Sequence, residues 1–184
     1  TKVKRRIGSL IENAAFFPNM SAYENLKYYA LQRGIVNLEQ ITEAIKLVGL
    51  EDAGKKKFKN FSLGMKQRLG VALAILDNPD FIILDEPING LDPIGISELR
   101  DTFKNLNEEK GITILISSHI LSELYQVATR FCIIDKGVVV KELTKEELDF
   151  DCSKCIVLKV DNTKKAATVI ESKLKTTNYK VIDK

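Results

Sequence analysis

Hydrophobic and polar positions along the chain follow two alternating spacings, one typical of amphipathic helices and one of buried strands. Ile41, Ala44, Ile45 and Val48 recur at helical spacing. Residues 81–84 are continuously apolar, which is typical of a strand buried on both faces. The patterns predict helices at 19–34, 41–49, 62–78, 92–110 and 121–128, and strands at 2–11, 81–85, 112–118, 131–135 and 138–143.

Residues that begin and end helices support this order. Ser21 lies three residues before Glu24, which is the spacing of a capping box, and Gly34 is placed to end the same helix. Asp92 followed by Pro93 supplies an N-cap and a first helical residue. Three further positions carry similar signals: Ser62 before the third helix, Gly111 after the fourth, and the Lys136–Gly137 pair between two strands as a hairpin turn.

The alternation of helices and strands predicts a layered α/β fold with a parallel central sheet. A length of 184 residues with 45% hydrophobic residues suits one domain with a small appendage. Beyond residue 150 the pattern reads as strand, helix, strand. The chain opens at Thr1 without a methionine and enters a strand-like segment, so we expect it to be an internal piece of a longer protein.

Composition excludes several functional classes. The 28 Lys and Arg against 25 Asp and Glu give a net charge of +3, too small to predict nucleic-acid binding. Neither a secretory leader nor an apolar stretch of membrane-spanning length is visible. Cys152 and Cys155 have the spacing of a metal pair, but with His119 as the only histidine they do not predict zinc. Three cysteines in all fit a reducing compartment better than a disulfide framework.

The strand at 81–85 ends in two adjacent carboxylates, Asp85 and Glu86. The carboxyl ends of parallel strands form the crevice in which open α/β sheets bind ligands. An aspartate there can hold Mg²⁺, and a neighbouring glutamate can orient and deprotonate a water for attack on a phosphate. The pair therefore suggests nucleotide hydrolysis; capping of the next helix, or pairing with lysines, is the alternative.

Nucleotide hydrolysis also needs a glycine-rich lysine loop between a strand and a helix. Residues 49–56, "GLEDAGKK", nearly match that motif. They follow a predicted helix, end in Lys56 where a hydroxyl is required, and place Glu51 and Asp52 where phosphates must lie. We therefore predict that this segment is not a phosphate loop and that the true loop lies upstream of Thr1.

Taken together, four motifs in residues 1–143 resemble the ATP-binding cassette of ABC transporters. "FSLGMKQRL" (61–69) resembles the signature sequence, and "FIILDEP" (81–87) the Walker B strand with its catalytic glutamate. "NGLDP" (89–93) resembles the D-loop, and "SSH" (117–119) the switch-histidine loop. The resemblance implies a P-loop NTPase-like core, an inserted helical subdomain at about 16–78, and a small α+β segment at 144–184.

The resemblance also implies a role for each motif residue. Asp85 would hold the water shell of Mg²⁺, Glu86 would act as the general base, and His119 would contact the γ-phosphate of ATP. Ser62 and Gly64 would bind the γ-phosphate held by a second cassette, with ATP between the two subunits. A further residue, Asp92, would lie near that interface, although simple helix capping explains it equally well.

Three positions of the signature and one of the Q-loop depart from the family pattern. Phe61, Leu63 and Met65 replace the usual leucine, glycine and glutamine, and Glu12 stands where the Q-loop glutamine is expected. Glutamate can approach a metal, but it adds negative charge beside a triphosphate. These variants are similar to cassettes of bacterial exporters that protect against peptide antibiotics such as bacitracin and lantibiotics.

The implied partners are a second cassette and transmembrane permease subunits at the inner face of the cell membrane. The helical subdomain and the region of Phe16, Phe17 and Pro18 would contact the permease. An alternative is a soluble regulatory or ribosome-associated ATPase, and a third is a catalytically silent interaction module. Because Asp85, Glu86 and His119 address only the metal and the γ-phosphate, these 184 residues alone are expected to bind ATP weakly or not at all.

Overall fold

A computed structural model describes residues 6–11, 15–152, 158–176 and 179. Two compact units, residues 1–145 and 146–184, divide the chain. In the described part, no helix is both long enough and apolar enough to cross a membrane. The helices and strands are β1 (Ile7–Leu10), α1 (Ala22–Gln32), α2 (Glu39–Leu47), α3 (Leu63–Ile75), β2 (Phe81–Asp85), α4 (Pro93–Glu108), β3 (Thr113–Ser117), α5 (Leu121–Val127), β4 (Arg130–Asp135), β5 (Val138–Thr144), α6 (Lys145–Cys152) and α7 (Thr163–Leu174).

A parallel sheet in the order β1, β2, β3 confirms the predicted α/β class. The continuous register places Gly8, Ile82 and Ile114 side by side. One sheet face packs into the core with α3 and α4. The opposite face is open among the described residues, since Ile83 is 37% exposed. The prediction that β2 is buried on both faces is therefore wrong for the described structure.

The helix α3 is more deeply buried than its sequence predicts. The helical spacing predicts a buried stripe of Met65, Leu69, Ala72, Leu73 and Leu76, and all of these except the half-buried Met65 are buried. Val71, Ala74 and Ile75 are buried as well. The reason is that α3 contacts α1, α2, α4 and two strands, which cover it on several sides.

Two predictions about connecting segments, a hairpin turn and a segment that is not a phosphate loop, are confirmed. The Lys136–Gly137 turn joins β4 and β5 as an antiparallel hairpin, and both residues have the positive φ that this tight turn requires. Residues 49–56 lie between α2 and a short 3₁₀ helix at Phe58–Asn60, not between a strand and a helix. They therefore lack the setting of a phosphate loop.

Among its described residues, the second unit contains α7 and nearly all of α6. Prediction of the helix α7 is confirmed, whereas α6 was not predicted. Residues 158–160 are not a strand, and most of the other residues predicted as strands here lie outside the described part.

A capping box holds the start of α1. The Ser21 hydroxyl accepts from the Glu24 N–H at 3.3 Å, and the Glu24 carboxylate accepts from the Ser21 N–H at 2.6 Å. These bonds, with help from Lys57 at 3.2 Å, lower the pKa of Glu24 from 4.5 to about 2. The fully buried Asn25 then ties this helix to the preceding loop, because its amide bonds both the N–H and the carbonyl of Phe17.

We predict that replacing Gly8 with alanine destabilises the sheet. A Cβ at this position would overlap the carbonyl oxygen of Ala74 in α3, so the helix must move away from the strand. Overpacking of this kind costs about 1–3 kcal/mol in the free energy of unfolding, measured by urea denaturation. Ser9→Ala, on the exposed side of the same strand, is the matched control. Equal stability of the two variants would contradict the packing described.

The capping box predicts a pH-dependent stability. Because the pKa of Glu24 is lower in the folded chain, its contribution is complete above pH 4.5 and is lost as the pH falls towards about 2. The difference in melting temperature between the wild type and Glu24→Gln should therefore shrink over that range. A difference independent of pH would show that the carboxylate charge does not act at this cap.

Candidate functional site

The carboxyl ends of β2 and β3 lie together at one edge of the sheet. Asp85, the last residue of β2, pairs in register with Ser117, the last residue of β3. The Ser117 hydroxyl donates a hydrogen bond to Asp85 Oδ1. This bond holds the Asp85 carboxylate at the carboxyl ends of the strands, which is where open α/β sheets bind ligands.

The next residue, Glu86, turns sharply away from the strand. Its φ of 46° lies in the left-handed region, which is unfavourable for a residue with a side chain. The Glu86 N–H donates to Ser117 Oγ at 2.9 Å, and the Asn89 N–H donates to the Glu86 carbonyl at 3.1 Å. These bonds hold a strained turn of the kind that occurs at functional sites.

The turn brings Glu86 against His119. Both carboxylate oxygens of Glu86 lie 3.0 Å from His119 Nδ1. The histidine side chain is 64% exposed and that of the glutamate 33%, so a ligand can reach both. Three residues predicted from two motifs, Asp85, Glu86 and His119, thus lie on one edge. The Ser117 hydroxyl links the first two, and Glu86 contacts the third.

The surroundings of Asp85 suit a hard cation that keeps part of its water shell better than a metal ion held by protein ligands alone. Within the described residues, no group of three or more His, Cys, Asp or Glu side chains could hold a metal ion. Mg²⁺ commonly takes one or two carboxylates and completes its shell with waters and phosphate oxygens. With Oδ1 engaged by Ser117, Asp85 keeps Oδ2 for such an ion or its water shell.

A second group of predicted residues lies at two helix N-termini. Ser62 caps α3 and its hydroxyl accepts from the Met65 N–H at 3.2 Å. Asp92 caps α4 and accepts from the Gly95 N–H at 3.1 Å, so its capping role is observed directly. Gly64 lies where an added Cβ would come 3.5 Å from Gly95 Cα, which indicates close approach of the two helix starts.

Glu12 lies outside the described residues. The role of Ser117 was missed, because nothing in the strand pattern itself shows which hydroxyl faces Asp85. Parallel pairing of the two strands with their last residues aligned would have placed Ser117 opposite Asp85.

Comparison with known proteins agrees with these motifs. The ABC transporter family model matches residues 1–89. The chain is 43% identical over 182 residues to the uncharacterized ABC transporter ATP-binding protein YcbN of Bacillus subtilis, covering 99% of this chain and 59% of the relative. It is 44% identical over 178 residues to the bacitracin transport ATP-binding protein BcrA of Enterococcus faecalis, covering 97% and 58%.

A solved structure shows the same fold. The ATP-binding cassette MJ0796, determined as a dimer in a post-hydrolysis state bound to ADP and Pi, aligns with a TM-score of 0.65 and 26% identity. The alignment covers 78% of this chain and 65% of that one. The chain thus spans about three fifths of the length of the curated relatives. Sequence motifs, fold and relatives together place the chain in the ATP-binding family of ABC transporters.

Proposed function

We propose that the protein is the ATP-hydrolysing subunit of an ABC transporter of the peptide-antibiotic export type. One observation carries the proposal: Asp85, Glu86 and His119 converge at the carboxyl ends of adjacent parallel strands. This location, with a carboxylate for the metal, a carboxylate for the water and a histidine, suits attack on a terminal phosphate. The name of the Enterococcus relative, a bacitracin transport protein, supports the substrate class.

Each residue of the edge would take one role. Asp85 would hold Mg²⁺ through its free oxygen or a water, and the metal would supply neutralisation of charge on the phosphates. Glu86 would orient the attacking water and accept its proton. His119 would contact the terminal phosphate through its second ring nitrogen, Nε2, while Nδ1 faces the Glu86 carboxylate.

A second cassette would complete the site. The start of α3, with Ser62 and Gly64, offers backbone N–H groups and the positive end of a helix dipole to an anion. The first turn of this helix carries no acidic residue that would repel a phosphate. The dimeric state reported for the similar cassette MJ0796 supports pairing of this kind. Asp92 would lie near the same interface.

Exposed aromatic residues support a permease contact on the helical part. Phe17, Tyr23 and Tyr28 are 39%, 37% and 39% exposed. Phe16, which was also predicted to contact the permease, instead packs in the core at 9% exposure against the rings of Tyr29 and Phe58. The proposed contact surface is therefore Phe17, Pro18, Tyr23 and Tyr28, with the protein held at the inner face of the membrane.

We predict that Glu86→Gln abolishes turnover without abolishing ATP binding. In the full-length protein the variant should lose about 10²–10⁴-fold in kcat, because glutamine cannot accept the proton of the attacking water. ATP hydrolysis and equilibrium binding of labelled ATP measure the two effects. Glu109→Gln, an exposed residue beyond α4, is the control for charge removal. Undiminished turnover in the Glu86 variant would contradict the proposed function.

The shared site predicts a charge effect across the dimer. Aspartate is a good N-cap, so Ser62→Asp should preserve α3 while repelling the partner's γ-phosphate. In the non-hydrolysing Glu86→Gln background, it should prevent ATP-dependent dimerisation, measured by light scattering. Asn162→Asp makes the same kind of change at the N-cap of α7 and should leave dimerisation intact. Equal dimerisation of both variants would argue against a phosphate contact at α3.

A further inference from the structure

The Ser117 hydroxyl contacts both Asp85 and Glu86, the two acidic residues at the end of β2. It donates to Asp85 Oδ1 and accepts from the Glu86 N–H at 2.9 Å. A serine hydroxyl has one proton and two lone pairs, so it can make both bonds at once. The donated hydrogen bond holds one carboxylate oxygen of Asp85, and the accepted hydrogen bond holds the backbone of Glu86.

The second bond matters because of the backbone conformation. Glu86 has a φ of 46°, which a residue with a Cβ adopts only when its surroundings hold it there. The Glu86 N–H bond to Ser117 is one such restraint. In this conformation, both Glu86 carboxylate oxygens lie 3.0 Å from His119 Nδ1. Ser117 therefore acts on the direction of the Glu86 side chain through its backbone.

Register explains why this residue can do so. Ser117 pairs directly with Asp85 at the end of two parallel strands. Residues opposite each other in register share a sheet face, and Ser117 thus lies on the same open face as Asp85. The hydroxyl needs no movement of either strand to reach both partners.

We propose that Ser117 is a positioning residue for ATP hydrolysis, which sets the orientation of the metal-binding Asp85 and of the general base Glu86 together. This inference rests on the proposed function. Loss of the hydroxyl releases the Asp85 carboxylate and the Glu86 turn, so the attacking water and the metal lose their alignment. We expect ATP binding to be retained, because both hydrogen bonds of the hydroxyl are made to the protein.

The test compares Ser117→Thr with Ser117→Val in the full-length protein. The two side chains have nearly the same shape and both suit a strand, so they differ mainly in the hydroxyl. We expect the valine variant to lose about tenfold to a hundredfold in kcat, with KM for ATP within about twofold of wild type. The threonine variant should stay within about threefold of wild-type kcat. Thr113→Val, at the opposite end of β3, removes a hydroxyl from the same strand as control.

A second measurement does not depend on activity. Amide hydrogen exchange of residues 85–88, without nucleotide, should be faster in the valine variant than in the threonine variant, because the Glu86 N–H loses its acceptor. Equal kcat in the valine and threonine variants, or equal exchange, would overturn the role of Ser117 while leaving the proposed function intact. An inactive wild-type protein would instead overturn the proposed function, and the role in hydrolysis with it.

Discussion

The candidate site depends on the parallel register of β2 with β3. That register places Asp85 opposite Ser117, so two segments far apart in the chain end at the same edge of the sheet. Burial enforces it, since a shift by one residue would turn the fully buried Ile82 and Leu84 out of the core. Packing of one sheet face against α3 and α4 thereby holds the register that places Asp85 and Ser117 together on the other face.

The strand edge and the helix starts contribute different parts of the proposed machinery. At the edge, a serine bridges two acids and a strained turn directs Glu86 to His119. At the starts of α3 and α4, Ser62 and Asp92 satisfy backbone N–H groups that would otherwise lack partners. The first group would act on a nucleotide bound to this chain, whereas the second would act on a nucleotide held by another subunit.

Sequence predicted best those features that depend on neighbouring residues. The capping box at Ser21, the Asp92–Pro93 helix start and the Lys136–Gly137 turn are all local, and all are confirmed. Features that depend on distant partners were predicted less well. Burial of β2 on both faces was wrong for the described residues, because an apolar run does not reveal whether helices cover one face or two. Ser117 was missed for a similar reason: its partners lie more than thirty residues away in sequence. Within the site, proximity of Asp85 and Glu86 followed from the strand end, and a place for His119 at the same site followed only from the family resemblance. The direct contact of His119 with Glu86 was not predicted.

A crystal structure of the full-length protein with Mg²⁺ and a non-hydrolysable ATP analogue tests the central claim most directly. The account predicts the terminal phosphate at the carboxyl ends of β2 and β3, with the metal beside Asp85 and with Glu86 and His119 facing the phosphate. A nucleotide bound elsewhere, or Asp85 and Glu86 turned into packed side chains away from it, would contradict the account.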